Sequence, residues 1–175
     1  KIKAAEADAM YAGIVIDTNN FTNQTGVRTF EAAAFLRRNG ADVTRVRKLF
    51  RDDMQDYKAR AAAISSAEIY REAFSIGVCP SEGLPSPTIV CAQAANELLE
   101  IKGIKASVVM TEYHGLIYLS ARSIDEVNVQ VMMEKLGGGG HRTIAGAQLS
   151  GISMEEAKDR VKAVIDEMLQ KGDIS

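Results

Sequence analysis

Four consecutive glycines, Gly137 to Gly140, followed by His141 and Arg142, are the most demanding feature of this sequence. Glycine loses more backbone freedom on folding than any other residue. A run of it is ordered only where the backbone must take positive φ or approach something closely. Successive N–H groups in such a loop can form an anion-binding nest. His141 can donate to a phosphate or accept from a base, and Arg142 can offer a planar charged fork. The run reads as a loop that holds a phosphate or a nucleotide, or, more plainly, as a flexible turn. It is not a P-loop, because no Lys-Ser/Thr pair follows it. It is not a dinucleotide fingerprint, because the G-x-G-x-x-G spacing and a preceding strand are missing.

The 175 residues suit one mid-sized domain or two small ones. A net charge of −2 draws the chain toward no polyanion as a whole, so any anion site must be local. No apolar run approaches membrane-spanning length, and the N-terminal stretch has no apolar h-region, so no signal peptide is expected. Cys79 and Cys91 form no CxxC, which fits a reduced, cytoplasmic compartment and argues against a metal site built from them. His114 and His141 are the only histidines.

Taken in order, residues 3–11 read as the end of a helix. The apolar run Ala12-Gly13-Ile14-Val15-Ile16-Asp17 reads as a strand buried on both faces, with Asp17 at its C-terminal end. Open α/β sheets place ligands there. Asp17 is then a metal ligand or catalytic carboxylate, or simply caps the polar turn over 18–26. Thr29 is the expected N-cap of a helix over about 30–39, closed by Gly40. Asp42 starts a further helical stretch, and Asp52 or Asp53 another, to about 65. The charged, Ala-rich segment 42–66 is expected to be an exposed connecting linker.

Glu68 to Val78 is a strand candidate. Ser86-Pro87 starts a helix to about 101, with Ile89, Ala92, Ala95, Leu98 and Leu99 inward. Strands are expected at 106–111 and 116–122, joined by a hairpin turn at Tyr113-His114-Gly115. A short helix over 128–136 leads into the glycines, and the small residues Ala145-Gly146-Ala147 mark a strand against which something packs closely. Ser153 and Glu156 have capping-box spacing before a last helix that buries Ala157, Val161, Val164, Ile165 and Met168.

The order strand, short helix, glycine loop can bring Ser120, Arg122, the loop amides and His141 around one anion. Arginine suits bidentate phosphate binding. Arg122 could equally form a surface ion pair with Asp125 or Glu126.

Several of these segments resemble one family. Gly13-Ile14-Val15-Ile16-Asp17-Thr18 and Thr25-Gly26-Val27-Arg28-Thr29-Phe30-Glu31-Ala32-Ala33 look like the closing part of the catalytic domain of DHH phosphoesterases. Ser120-Ala121-Arg122-Ser123, Asn128-Val129-Gln130-Val131-Met132-Met133 and Gly137 to His141 look like its C-terminal DHH-associated domain. The similarity runs over nearly the whole chain and is greatest to the cyclic-di-AMP phosphodiesterases of the family.

The resemblance implies an α/β fold: a C-terminal lobe with a mixed β-sheet flanked by helices, preceded by the last strand and helices of a parallel α/β catalytic domain. The domains would be the end of the catalytic domain at 1–41, a helical linker at 42–66 and a DHH-associated substrate-binding domain at 67–175. Asp17 matches the last metal-ligand aspartate of a site for two Mn2+ ions. Ser120, Arg122, Ser123, Gly138, Gly139, Gly140 and His141 would bind substrate. The implied reaction is hydrolysis of cyclic di-AMP to pApA, in which paired metals activate a water. The partners would be a cyclic or short linear dinucleotide, the rest of the catalytic domain and a second copy in a homodimer, with no long nucleic acid. The parent protein would be membrane-anchored, with this chain at the cytoplasmic face. A nanoRNase or exonuclease of the same superfamily, or a non-catalytic nucleotide-binding module, are the alternatives.

The chain departs from the family in one way that matters. It contains no Asp-His-His, both histidines lie in the second half, and one aspartate cannot hold two hard divalent ions. Gln24 also stands where a basic residue is expected. The chain alone is therefore expected to be inactive.

Overall fold

Alanine carries the first helix further than the apolar pattern suggests. In the computed structural model, which describes residues 2–174, α1 runs Ala4–Asp17 without a break. The strand expected over 12–17 is the second half of this helix. Periodicity cannot separate a short apolar run in a strand from one in a helix. Ala4, Ala5, Ala7, Ala9 and Ala12 make helix the low-cost conformation, and residues 2–52 hold no strand to pair with. The segment before the mixed sheet thus carries helices and turns but no strand among the described residues.

The chain divides into two units, Lys1–Asp52 and Asp53–Ser175. In the first, α2 spans Val27–Arg38 and α3 spans Val43–Leu49. Helix α2 starts ahead of the expected Thr29 cap. Gly26 is its N-cap, and Thr29 reaches back so that its Oγ1 accepts from Gly26 N at 3.3 Å. Gly40, at φ +104°, turns the chain after it as expected. Asp42 caps α3 by accepting from Arg45 N at 3.0 Å. The core of this unit is small: Ala7, Leu36 and Ala41, with Ile2, Tyr11 and Ile14 packed around them. Asp8 ties it together, accepting from Asp42 N at 2.7 Å and from Arg45 Nε at 2.7 Å. These donors hold the Asp8 carboxyl below its usual range.

The second unit opens with α4, Met54–Ser65, so the segment 42–66 is two helices broken at 50–53. Helix α4 buries Ala59, Arg60 and Ala63, and Arg60 pairs with Glu97 at 2.6 Å. A six-stranded sheet follows, with Glu68–Tyr70 (β1), Phe74–Val78 (β2), Ala106–Tyr113 (β3), Leu116–Ser123 (β4), Ile144–Ser150 (β6) and Gly139–Gly140 (β5) side by side in that order. Its first two strands, β1 (Glu68–Tyr70) and β2 (Phe74–Val78), form an antiparallel hairpin. The single strand expected over 68–78 is therefore split, at a turn where Arg71 and Glu72 take φ of 48° and 62°.

Strand β2 crosses over through α5 (Pro87–Leu98) to the parallel strand β3 (Ala106–Tyr113). Pro87 sits in the first turn of α5, as expected. Ala95 and Leu98 point in as expected, Val90, Cys91 and Ala94 are buried beside them, Ala92 and Leu99 are half-buried, and Ile89 is 58% exposed. His114 and Gly115, at φ 51° and 74°, make the tight left-handed turn into β4 (Leu116–Ser123). Then come α6 (Val129–Glu134), β5 (Gly139–Gly140), β6 (Ile144–Ser150) and α7 (Met154–Lys171).

Helices lie on both faces of the sheet. Ile76, Val108, Met110, Ile117, Leu119, Ala145, Ala147 and Leu149 pack on one side with Met132 and Met133 of α6 and Val161, Ile165 and Met168 of α7. On the other side Val109 packs with Cys91, Ala94, Ala95 and Leu98 of α5 and with Ala59 and Ala63 of α4. Helix α5 lies over β2, β3 and β4. Beyond it the same face of β6 is exposed at Ile144 and Gln148, and this bare end of the sheet is where the candidate site lies. Among the described residues no helix is long and apolar enough to cross a membrane.

Candidate functional site

Side chains alternate along a strand, and the burial of β4 follows that rule. Ile117, Leu119, Ala121 and Ser123 are buried, while Leu116, Tyr118, Ser120 and Arg122 are half-buried on the opposite, α5-facing side. The register then sets three rows across the bare end of the sheet. Tyr118 pairs with Gln148, Ser120 with Gly146, and Arg122 with Ile144. Gly146 in turn pairs with Gly139 of β5. The middle row therefore reads Ser120, Gly146, Gly139 and carries one small side chain. It is a channel floor, walled by the Tyr118–Gln148 row and the Arg122–Ile144 row. A cavity of about 470 Å³ lies along the Tyr118–Gln148 wall, bordered by Tyr118, Leu119, Gly137, Gly138, Gly146, Ala147 and Gln148.

The four glycines divide by role. A Cβ on Gly138 would lie 2.1 Å from the Gly146 carbonyl oxygen and 2.6 Å from Ala147 Cβ. One on Gly140, at φ +147°, would lie 2.5 Å from both Ala145 Cα and the Ile144 oxygen. These two let the chain lie against β6. Gly137, at φ +78°, makes the turn out of α6, and a Cβ on it or on Gly139 would meet nothing within 4 Å. The loop does not present a row of free amides. Gly137 N donates to Glu134 O at 3.0 Å, Gly138 N to Met133 O at 2.8 Å, and His141 N to Ile144 O at 2.7 Å. What the run provides is a surface without side chains rather than a nest of N–H groups.

Arg122 is oriented by two bonds. Its Nε donates to Asn96 Oδ1 at 3.1 Å, and its Nη1 donates to the Ala121 carbonyl at 2.9 Å. Burial pulls its pKa below the ordinary arginine value. A half-desolvated guanidinium gains more from an anion than an exposed one, because its charge is less screened. The surface ion pair weighed for Arg122 belongs instead to Arg142, which bonds Asp125 at 3.1 Å.

The register thus brings Ser120, Arg122 and Gly139 onto one face. His141 stands exposed at the turn between β5 and β6, bonded through its backbone to Ile144 of the Arg122 row. Ser123 is not on this face. It is buried on the core side, and its Oγ donates to the Val127 carbonyl at 2.6 Å. Behind Ser120, Cys91 shares a hydrogen bond with it and donates its thiol to the Val109 carbonyl at 3.1 Å. Burial pushes the Cys91 thiol up to about 12 and that of Cys79 up to about 11, so neither is a thiolate at neutral pH.

Asp17 belongs to the first unit, exposed at the last position of α1 rather than at a strand end. The negative end of the helix dipole gives a carboxylate there no stabilisation. The chain behind it is held by Thr18, whose Oγ1 donates to Ile14 O at 2.6 Å and accepts from Phe21 N at 2.9 Å. Asn19, Asn20 and Phe21 all take positive φ. Among the described residues no group of three or more His, Cys, Asp or Glu side chains could hold a metal ion. The donor set present does not fit a two-metal centre.

The sequence reading passed over Tyr118, Gln148 and Asn96. The alternation of 118, 120 and 122 was visible in β4 and pointed to Tyr118. Gln148 needed the β4–β6 register, and Asn96 needed the packing of α5.

The DHHA1 domain family matches residues 86–171, which span α5 to α7. The cyclic-di-AMP phosphodiesterase GdpP of Bacillus subtilis is 42% identical over 174 residues, covering 98% of this chain and 26% of GdpP. The cyclic-di-AMP phosphodiesterase PdeA of Listeria monocytogenes is 43% identical over 162 residues, covering 92% of this chain and 24% of PdeA. The chain thus spans about a quarter of the length of these relatives. An exopolyphosphatase-related protein from Bacteroides fragilis has the same fold, with a TM-score of 0.83 at 22% identity over 95% of this chain and 51% of its own.

Proposed function

Because the chain belongs to the DHH phosphoesterase family and carries its DHHA1 domain over residues 86–171, we propose that it is the substrate-binding part of a phosphodiesterase that hydrolyses cyclic di-AMP to pApA. The observation that carries this reading is the channel of Ser120, Gly146 and Gly139, which holds only one small side chain, with Arg122 fixed along one wall. A sugar–phosphate backbone needs close approach to the protein main chain and a cation for its charge. The channel supplies the first, and the half-buried guanidinium supplies the second. His141, exposed at the β5–β6 turn, would donate to a second phosphate oxygen. Net charge of −2 suits a ligand of two nucleotides better than a long polyanion, whose grooves are strongly basic.

Asp17 is proposed as one ligand of the manganese pair in the intact protein. A single carboxylate does not assemble that centre, so this chain supplies binding and orientation. Calorimetric titration with cyclic di-AMP, pApA and a short linear RNA, with a manganese hydrolysis assay on the same sample, tests the reading. Dinucleotide binding without turnover is expected. Preference for the longer RNA would move the assignment to an exonuclease, and binding of none of the three would overturn it.

A further inference from the structure

An arginine buried between α4 and α5 has no part in the site described above. Arg60 of α4 is 8% exposed. Its Nε pairs with Glu97 Oε1 at 2.6 Å, and its Nη1 donates to Gln93 Oε1 at 3.1 Å. Its guanidinium carbon lies 5.4 Å from the centroid of the Tyr57 ring, one turn earlier on α4. Burying a guanidinium is costly, and an ion pair in such a place adds little net stability over apolar groups of the same volume. What a planar fork supplies is direction: it holds two acceptors, one turn apart on α5, at the same time. The apolar packing there lacks that direction. It is rich in small side chains, Ala59 and Ala63 of α4 against Cys91, Ala94 and Ala95 of α5. Such side chains make shallow ridges, which set the spacing of two helices better than their rotation. On its inner side α5 is tied to β3, where Cys91 Sγ donates to Val109 O at 3.1 Å and Ser107 Oγ to Ala95 O at 2.5 Å. Those bonds fix where the helix lies on the sheet, and the Arg60 clasp acts on its flank.

We infer that Arg60 is a positioning residue for the anion site: its clasp on Gln93 and Glu97 sets the rotation of α5 at which Asn96 meets Arg122. Asn96 is the neighbour of Glu97 and follows Gln93 by three residues. A roll of α5 that breaks the Arg60 bonds therefore also shifts Asn96 Oδ1 from its place 3.1 Å from Arg122 Nε. Helix α5 thus carries a polar contact on each flank, Arg60 on one and Arg122 on the other. The buried cation orders the half-buried one without touching it or the ligand. The effect on binding rests on the reading of Arg122 as the phosphate-binding group; the effect on Arg122 itself does not.

The test measures solvent exchange of the Arg122 Nε–H by nuclear magnetic resonance on the 175-residue chain and its variants, with the signal assigned from its loss in Arg122→Lys. This readout reports the Asn96 bond and needs no ligand. Arg60→Met puts an apolar side chain between the helices and should leave thermal unfolding little changed. It is expected to speed the exchange about threefold or more, toward the rate in Asn96→Ala, the scale of one side chain set free. Cyclic di-AMP binding should weaken by about threefold in Arg60→Met. Adding Arg60→Met to Asn96→Ala should weaken it no further, because Arg60 acts through Asn96. Should Arg60→Met unfold more easily, Arg60→Lys decides in its place, since it keeps a cation beside Glu97 but not the fork. Unchanged exchange at Arg122 in the folded variant overturns the positioning role, whatever the chain binds. If exchange rises as expected but the unaltered chain binds no dinucleotide, the clasp stands and the dinucleotide reading falls.

Discussion

Arg122 Nε donates to Asn96 Oδ1 at 3.1 Å, so a residue of α5 holds the one half-buried cation on the open face of β4. The bond joins a helix to a strand. It also removes one of the rotamers that a free arginine would otherwise lose on meeting its ligand. Pre-ordering of this kind raises affinity without adding any contact to the ligand.

Asn96→Ala is therefore expected to weaken cyclic di-AMP binding by about threefold to tenfold, the scale of one newly mobile side chain. Arg122→Ala should weaken it further, and the double variant should resemble Arg122→Ala alone, since Asn96 acts through Arg122. Titration calorimetry of the three proteins checks this. Additive losses would show that Asn96 touches the ligand itself.

Gly138→Ala and Gly139→Ala should separate packing from binding. An alanine at 138 must displace the Gly146 carbonyl and Ala147, so thermal unfolding is expected to show a loss of about 1–3 kcal/mol. An alanine at 139 meets nothing within 4 Å and should change stability by less than about 0.5 kcal/mol. It projects into the channel row with Ser120 and Gly146, however, and should lower ligand affinity.

Ser123→Ala is expected to lower stability by about 1 kcal/mol, since it leaves the Val127 carbonyl without its 2.6 Å donor. Ligand affinity should be unchanged, because Ser123 lies on the core side of the sheet. Denaturant unfolding and titration of the same protein check both halves. A loss of affinity equal to that of Ser120→Ala would return Ser123 to the site.

Acid should loosen the last helix. Lys171, and then Lys135 of the turn after α6, hold the Glu167 carboxyl down at about 2, from an ordinary value of 4.5. Because the folded value is the lower one, the stabilisation is present above about pH 4.5 and is lost as pH falls toward 2. The pairs are exposed, so the effect is small and is screened by salt. Glu167→Gln should unfold more easily than the unaltered protein at pH 7, and the difference should vanish near pH 2. A difference that persists there would point to packing rather than charge.

Much of the second unit was legible in the sequence because local chemistry and tertiary packing agree there. Ser153 caps α7 by accepting from Glu156 N at 3.1 Å, and the five residues expected inward on that helix are the five that are buried. Pro87 and the His114-Gly115 turn mark their elements for the same reason. The misreadings fall where two conformations suit the same residues. Ala12 to Asp17 is apolar enough for a strand, but it continues an alanine-rich helix. Ile89 has the right spacing for a core position, yet α5 is rotated to bury Cys91 and Val90. The turn at Arg71-Glu72 carries no Gly, Pro or Asn to announce it. It is held from outside, where Asp166 accepts from Tyr70 Oη and from Arg71 Nε, each at 2.8 Å. In the site, the residue types were readable, but which of them share a face depended on strand register.

The order of strands has one more consequence. The sheet ends in β1, three residues long, on one side and in β5, two glycines long, on the other. An edge strand offers unpaired N–H and C=O groups to any other extended chain, and short edges offer few of them. The two terminal strands themselves thus offer few such groups, β1 covering Phe74 to Ile76 of β2 and β5 covering Ala145 and Gly146 of β6. The glycines that floor the cleft also make the outermost strand too short to template much pairing of its own.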